Sequence, residues 1–227
     1  MIPTTGTRTG SLPAGIVDVW RIALDPPAVP LATLIAALDH DEREQLSHRG
    51  PHGNAWATAH GALRCILASY LGVTPAALRF TADADGKPRL AGGHKLEFSL
   101  SRGDTLALVA VASDRAVGVD VERVRDDVDI DAVTRDFLSG GDAASVSHAP
   151  ANRRREVFFA AWTRHEARLK LRGLGLDSAP FEPPLAPGGL IITRAVAIAP
   201  GFAAAVAAEG SGWTVRIRDF PETPVAR

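Results

Sequence analysis

Within Gly118-Val119-Asp120-Val121-Glu122, two carboxylates stand two residues apart in a stretch that reads as a strand. Residues two apart in a strand point to one side, so Asp120 and Glu122 project together while Val119 and Val121 enter the core. Neighbouring carboxylates raise each other's pKa unless a cation holds them. Hard oxygen donors suit Mg²⁺, which takes one or two carboxylates and completes its shell with water and substrate phosphate. Alone, the pentapeptide reads more simply as the solvated face of an edge strand.

A second group lies in FFAAWTRHEARLKLRGLG, residues 158–175. On a helix Trp162, Glu166 and Lys170 fall at i, i+4 and i+8, a shared face that turns slowly. Trp162 makes that face at least partly buried, and a buried glutamate and lysine need each other or a ligand. The plainer alternative is an ordinary i,i+4 ion pair in solvent. A third group is Gly86-Lys87-Pro88, where Pro88 biases Lys87 toward extended backbone; alone it is a turn with a solvated lysine. Of 25 basic residues only three are lysines, at 87, 95 and 170. We read this as coding bias, which makes each remaining lysine more informative.

The elements that must position these groups follow from hydrophobic periodicity and from turn residues. Strands are expected at Ile16 to Leu24, Leu78 to Thr81, Lys95 to Ser101, Leu106 to Ala112 and Ala116 to Val124, with Gly103-Asp104 as a hairpin connection. Later strands are expected at Leu190 to Ile198, Gly201 to Ala208 and Trp213 to Ile217. Helices are expected at Leu31 to Leu38, at Asp39 to Leu46 with Asp39 or Asp41 as N-cap, and at Ala55 to Leu71 ended by Gly72. Two more fall at Asp131 to Leu138 and at Arg153 to Arg172, the latter ended by Gly173. Thr74-Pro75 opens a short helical turn, and DADGKP at 83–88 is a turn cluster. Ser139 to Asn152 reads as a small-polar linker or mobile loop, and Pro221 to Arg227 as a tail. Each half therefore reads as a long helix followed by strands, joined near Asp114.

Composition narrows the function classes. The 227 residues, 46% hydrophobic and 22% charged, describe a globular chain. A net charge of −1 argues against a general nucleic-acid binder, although a local basic pocket for one phosphorylated ligand is compatible with it. Cys65 is the only cysteine, so no intrachain disulfide forms. Met1 to Gly15 lacks the apolar segment of a signal peptide, and the longest apolar run, Ala195 to Ala208, is broken by Pro200 and Gly201. The expectation is a cytoplasmic protein without membrane association.

Taken in order and spacing, GKP, the F-x-L-S of Phe98 to Ser101, GVDVE and FFAAWTRHEARLKLRGLGL resemble the Sfp-type 4′-phosphopantetheinyl transferases. The resemblance runs from Trp56 to about Leu176, including Ala59 to Arg64, which is similar to an ARALLR pattern. Its most specific part is W-T-x-x-E-A-x-x-K paired with G-x-D-x-E. It implies an α+β fold of two pseudo-symmetric halves with the active site between them. Residues 1–114 would form the coenzyme A nucleotide side, and 115–227 the half with the metal and acid helix. It further implies transfer of phosphopantetheine from coenzyme A to a serine of an acyl- or peptidyl-carrier domain, releasing adenosine 3′,5′-bisphosphate. Asp120, Glu122 and Glu166 match the family's ligands for Mg²⁺, with Mn²⁺ as a substitute. Lys87, Pro88, Ser101, Arg102 and Lys170 match positions that hold coenzyme A. Glu166, Lys170 and His165 are the catalytic candidates: Lys170 as a cation beside the transferred phosphate, Glu166 or a metal-bound water it orients as the base. The resemblance also implies service to secondary metabolism, in polyketide or nonribosomal peptide synthesis, by a monomer.

Three departures fall at the nucleotide end. Arg102 stands where the family has histidine, a permanent and bidentate cation in its place. His165 replaces a lysine on the acid helix, so any phosphate attraction there weakens as pH rises through about 6.5. Ala55 stands where an arginine is common, and His52, His60 and Arg49 are the residues available to compensate. His48 with His52 makes a poor metal pair, since Gly50, Pro51 and Gly53 fix no ligand geometry. Two competing functions are a non-catalytic carrier-binding module, which would need neither the acids nor Lys170, and a magnesium-dependent phosphohydrolase, for which a glycine-rich phosphate loop is missing.

Overall fold

The computed structural model describes residues 12–83, 86–174 and 189–222. In chain order its elements are β1 (Ile16–Ala23), α1 (Leu31–Ala37), α2 (His40–Ser47), α3 (Gly53–Leu71), β2 (Phe80–Ala82), β3 (Pro88–Leu90), β4 (Leu96–Arg102), β5 (Leu106–Ser113), β6 (Val117–Arg123), α4 (Ile130–Phe137), α5 (Gly140–Ser147), α6 (Arg154–Arg172), β7 (Ile191–Ala195), β8 (Phe202–Glu209) and β9 (Thr214–Phe220). This is the expected α+β architecture.

β5 explains the layering. Its sequence, LALVAVAS, is apolar at nearly every position, so both of its faces need cover. Ala107, Val109 and Val111 pack with Trp20, Ile22 and Phe98 against α3. Leu108, Ala110 and Ala112 turn the other way and meet Val117, Val119, Val121 and Val206 of a second sheet. The first sheet has order β4-β5-β1-β9 and the second β6-β8-β7, with β2 and β3 forming a small separate ribbon. On the far face of the second sheet, Ala205 and Ala207 pack against Ala167 and Leu171 of α6. The layers thus run helix, sheet, sheet, helix, each outer helix having 19 residues. Left-handed glycines, Gly72 and Gly173, end both long helices as expected.

Polar anchoring is local and specific. Asp39 caps α2 through a reciprocal capping box with Glu42. The guanidinium of Arg64, wholly buried on α3, is held by Asp39 and Glu42 and donates to the carbonyls of Pro75 and Leu78. Arg64, the last residue of the ARALLR-like stretch, therefore ties α2 to α3.

The structure corrects several expectations. The stretch from Ser139 to Asn152 is not a loop but contains α5, because Val146 buries against Leu138, Phe158 and Phe159. The strand expected from Trp213 to Ile217 begins at Thr214 and continues to Phe220, and β3 was not anticipated. Asp114 does sit in the turn between β5 and β6, yet the division into 1–114 and 115–227 is crossed by β9. That strand pairs in parallel with β1, aligning Asp18 with Arg216. Arg216 forms a bidentate pair with the fully buried Asp18, at 2.5 and 2.8 Å, and Tyr70 of α3 donates its hydroxyl to the same carboxylate. The reach of the pairing is the physical reason: a buried aspartate in the first strand needs a cation, and the chain supplies it from β9. Residues 1–11 of the N-terminal tract and 223–227 of the tail lie outside the described residues, as does the end of the family-like block beyond Leu174.

Gly118 permits the closest approach in the second half. A Cβ there would lie 2.0 Å from the Ala167 carbonyl oxygen and 2.4 Å from the Leu171 nitrogen. Gly118→Ala is expected to lower unfolding free energy by about 2 kcal/mol or more, measured by urea denaturation. Unchanged stability would show that α6 does not seat on β6 this closely.

Candidate active site

β4 and β6 are edge strands of different sheets, and they run beside each other. Backbone N–H groups at a sheet edge need partners. The N–H of Val119 donates to Ser99 Oγ at 3.2 Å, and that of Val121 to Ser101 Oγ at 3.4 Å. Two serines at strand spacing thus stand in for a missing neighbour and fix β4 against β6.

The acids sit on the α6 side of this seam. Asp120, 2% exposed, accepts the Ser101 hydroxyl at 2.8 Å and the Lys170 ammonium at 2.6 Å, both on Oδ1. Lys170 also donates to Ser101 Oγ at 2.8 Å. Burial, then the Asp120 charge, raises the Glu122 carboxyl, while Arg125, Lys170 and a hydrogen bond from Trp162 oppose the rise. Glu166 is pushed up to about 7, first by burial and then by Asp120, with Lys170 opposing and Glu122 adding to it. These groups line one cavity of about 410 Å³ together with Trp162, His60, Leu100 and Arg102. The structure therefore brings Asp120, Glu122, Glu166, Lys170, Ser101 and Arg102 together.

The donor set fits a hard divalent cation. Asp120 Oδ2 and Glu166 Oε1 are buried, with no hydrogen-bond partner among the described residues. Among those residues no three acidic, histidine or cysteine side chains are gathered tightly enough to cage an ion by themselves. An open carboxylate face is what Mg²⁺ favours, because it keeps several waters and takes substrate phosphate. Asp120, Glu122 and Glu166 are the residues that would hold it.

Other expected site residues lie elsewhere or act differently. The Lys87 ammonium is 7% exposed and donates to the carbonyls of Val117 and Leu171 at 3.0 and 2.9 Å. Burial and then Arg89 lower its pKa to about 8. It ties the end of α6 to the start of β6, and its ammonium is engaged by backbone. Pro88 is exposed and lines a neighbouring cavity of about 300 Å³ with Lys87, Phe98, Ser99, Leu100, Lys170 and Leu174, so Leu100 and Lys170 border both cavities. His165 is 4% exposed, against Trp162 with ring centroids 5.9 Å apart, and does not line the reactive cavity. One residue before Glu166 is about 100° around the helix, which turns it off the acid face.

The cationic rim was only partly foreseen. Arg49 lies over the Trp56 ring at 4.3 Å, and Trp56 stacks on His60 at 4.0 Å. Burial, and after it the Arg49 charge, lowers the pKa of Arg102. Trp162, expected only as an apolar marker, also opposes the rise of the Glu122 carboxyl. Ser101 is an expected site residue, but the bridging of Ser99 and Ser101 to β6 has only the polar-apolar alternation Phe98-Ser99-Leu100-Ser101 as its sequence signal.

Comparison with known proteins places this site in a family. A profile of the 4′-phosphopantetheinyl transferase superfamily matches residues 116–188, which include all three acids and Lys170. The chain is 34% identical over 165 residues to the 4′-phosphopantetheinyl transferase HetI of Nostoc sp., covering 70% of each protein. It is 31% identical over 157 residues to the 4′-phosphopantetheinyl transferase AcpT of Escherichia coli, covering 68% of this chain and 74% of that one. A 4′-phosphopantetheinyl transferase of Bacillus subtilis is 25% identical over 165 residues, with 71% and 72% covered. The chain belongs to the 4′-phosphopantetheinyl transferase superfamily and is an enzyme of that kind. No helix among the described residues is long and apolar enough to cross a membrane.

Two outcomes test the electrostatics. Glu166 is raised from 4.5 to about 7, so the folded protein retains a proton that the unfolded chain has released. Its contribution to stability is complete below pH 4.5 and is lost as pH rises through about 7. In metal-free protein the melting temperature of Glu166→Gln relative to the parent should therefore rise between about pH 5 and about pH 8. A pH-independent difference by calorimetry would refute the assignment. Lys87→Ala strands two backbone carbonyls and is expected to destabilise by about 1–3 kcal/mol in urea; a variant of parental stability whose only defect is a raised KM for coenzyme A would make Lys87 a ligand contact instead.

Proposed function

We propose that the protein transfers 4′-phosphopantetheine from coenzyme A to a serine hydroxyl of an acyl- or peptidyl-carrier domain, with Mg²⁺ and with release of adenosine 3′,5′-bisphosphate. The observation that carries this reading is the cavity in which three carboxylates from β6 and α6 surround one lysine beside an arginine rim. When bound, the metal would neutralise and align the diphosphate of the donor.

The chain's own residues supply the rest. Arg102, which feels the Arg49 charge, forms the cationic end suited to the nucleotide phosphate, the role vacated by Ala55, and His60 lines the same cavity. Lys170 has one N–H left after Ser101 and Asp120, and that donor serves the phosphate under attack. The serine oxygen forms a bond to the phosphorus that carries the pantetheine arm. The bond from that phosphorus to the bridging oxygen breaks, and the electron pair leaves with the nucleotide. Glu166 takes the serine proton, directly or through a water it orients; a bound dication would lower the carboxyl's own pKa, which favours the water route. Both sheets contribute to the cavity within one chain, which supports action as a monomer. Secondary-metabolic carriers are the proposed acceptors.

The test is incubation with coenzyme A, Mg²⁺ and an unmodified carrier domain, followed by mass spectrometry of the carrier. A gain of one phosphopantetheine is expected, abolished by chelation of the metal and reduced at least about 1,000-fold in Asp120→Ala. Carrier binding without mass gain, or release of free phosphopantetheine, would overturn the reading, and activity surviving in Asp120→Ala would misplace the metal.

A further inference from the structure

Trp162 joins the reactive cavity to α4, a helix that lends no side chain to that cavity among the described residues. The indole lines the cavity together with Glu122. Burial and the Asp120 charge raise the Glu122 carboxyl, and a hydrogen bond from Trp162 is among the effects that oppose the rise. The other neighbours of the indole are aromatic. Phe158, one turn earlier on α6, stacks on it with ring centroids 6.3 Å apart, and His165 lies tilted at 5.9 Å. Both belong to α6 and move with Trp162. Phe137 comes from α4, its ring edge-on to the indole at 5.9 Å and 88°. Among the described residues it is the one aromatic partner of Trp162 supplied by another element.

The rest of α4 is occupied with holding its own place. Ile130 and Val133, with Leu138 at the helix end, pack into the small core built on Phe158 and Phe159. Asp129 caps the helix by accepting the Ala132 N–H at 3.0 Å. Two arginines at the start of α6 fasten it from the other side: Arg154 pairs with Asp131, and Arg155 donates to the Arg125 carbonyl at 2.8 Å. Phe137, half-buried, turns to the indole. An edge-to-face aromatic pair is worth about 2- to 10-fold in an equilibrium, beyond the area it buries. A fixed α4 thus presents one ring edge to the side chain that faces Glu122 across the gap between α6 and β6.

We propose that Phe137 is a positioning residue of the phosphopantetheinyl-transfer site: it fixes the indole of Trp162 and, through the indole, the Glu122 carboxylate. This rests on the function proposed above. Groups that orient metal ligands are worth about 10–100-fold in metal affinity or activity when removed. Phe137→Ala should weaken Mn²⁺ binding, followed by electron paramagnetic resonance without coenzyme A, by about 10-fold. It should lower kcat by a similar factor and leave the KM for coenzyme A within about 3-fold. Phe137→Leu keeps most of the apolar volume and the fold, and should still weaken Mn²⁺ binding about 3-fold or more. In a Trp162→Phe background, which lacks the indole N–H, Phe137→Ala should add less than about 2-fold.

Parental Mn²⁺ affinity in Phe137→Leu would reduce the residue to core filling and overturn the proposal. A full 10-fold further loss in the Trp162→Phe background would do the same, because Phe137 would then act without the indole. A raised KM for the carrier domain, with kcat and Mn²⁺ binding preserved, would make Phe137 a docking contact instead. The Mn²⁺ titration needs no turnover. If the parent protein modifies no carrier, the proposed function falls, while the titration judges the positioning role separately.

Discussion

An edge strand carries backbone N–H groups that water or another chain would otherwise satisfy. In this protein two of those that β6 turns away from β8, at Val119 and Val121, are taken by serine hydroxyls of β4. Everything at the site depends on that substitution. A regular ladder would merge the two sheets and fill the seam with backbone. Side-chain bridging instead leaves them separate, brings β4 beside the acid strand, and sets Ser101 within reach of both Asp120 and Lys170.

The second constraint is the seating of α6 on β6. Gly118 lets the helix backbone come into contact with the strand, and Lys87 fastens the two by bonding carbonyls on each. Only with α6 this close does Lys170 reach Asp120. Three carboxylates in a half-dry cavity repel, and a single ammonium offsets only part of that repulsion. Burial, and after it the charge of Asp120, pushes the Glu122 and Glu166 carboxyls up. The site is held in a state that a dication and an oriented diphosphate would relieve.

Much of this was legible in local pattern. The alternation of GVDVE placed two acids on one side of a strand, and helical spacing put Trp162, Glu166 and Lys170 on one face. Caps at Gly72 and Gly173 and the apolar strand that became β5 followed from residue types alone. What escaped depends on which elements become neighbours. GKP reads as a solvated turn until α6 and β6 close over Lys87. His165 sits in a catalytic-looking string, but one residue of helical rotation removes it from the cavity. The Ala-, Ser- and Gly-rich α5 lacks intrinsic signal and is a helix because Val146 has a core to enter.

The pairing of β1 with β9 has a consequence for the chain as it is made. Asp18 emerges from the ribosome early, and its counter-ion on β9 is separated from it by 198 residues. During most of synthesis the first sheet therefore lacks its fourth strand, and a carboxylate destined for full burial has no cation. Long-range pairing of this kind forms late and closes slowly. A nascent chain that has not yet reached β9 therefore holds Asp18 on a three-stranded sheet without its Arg216 partner. The first sheet and its buried ion pair are completed together, by β9.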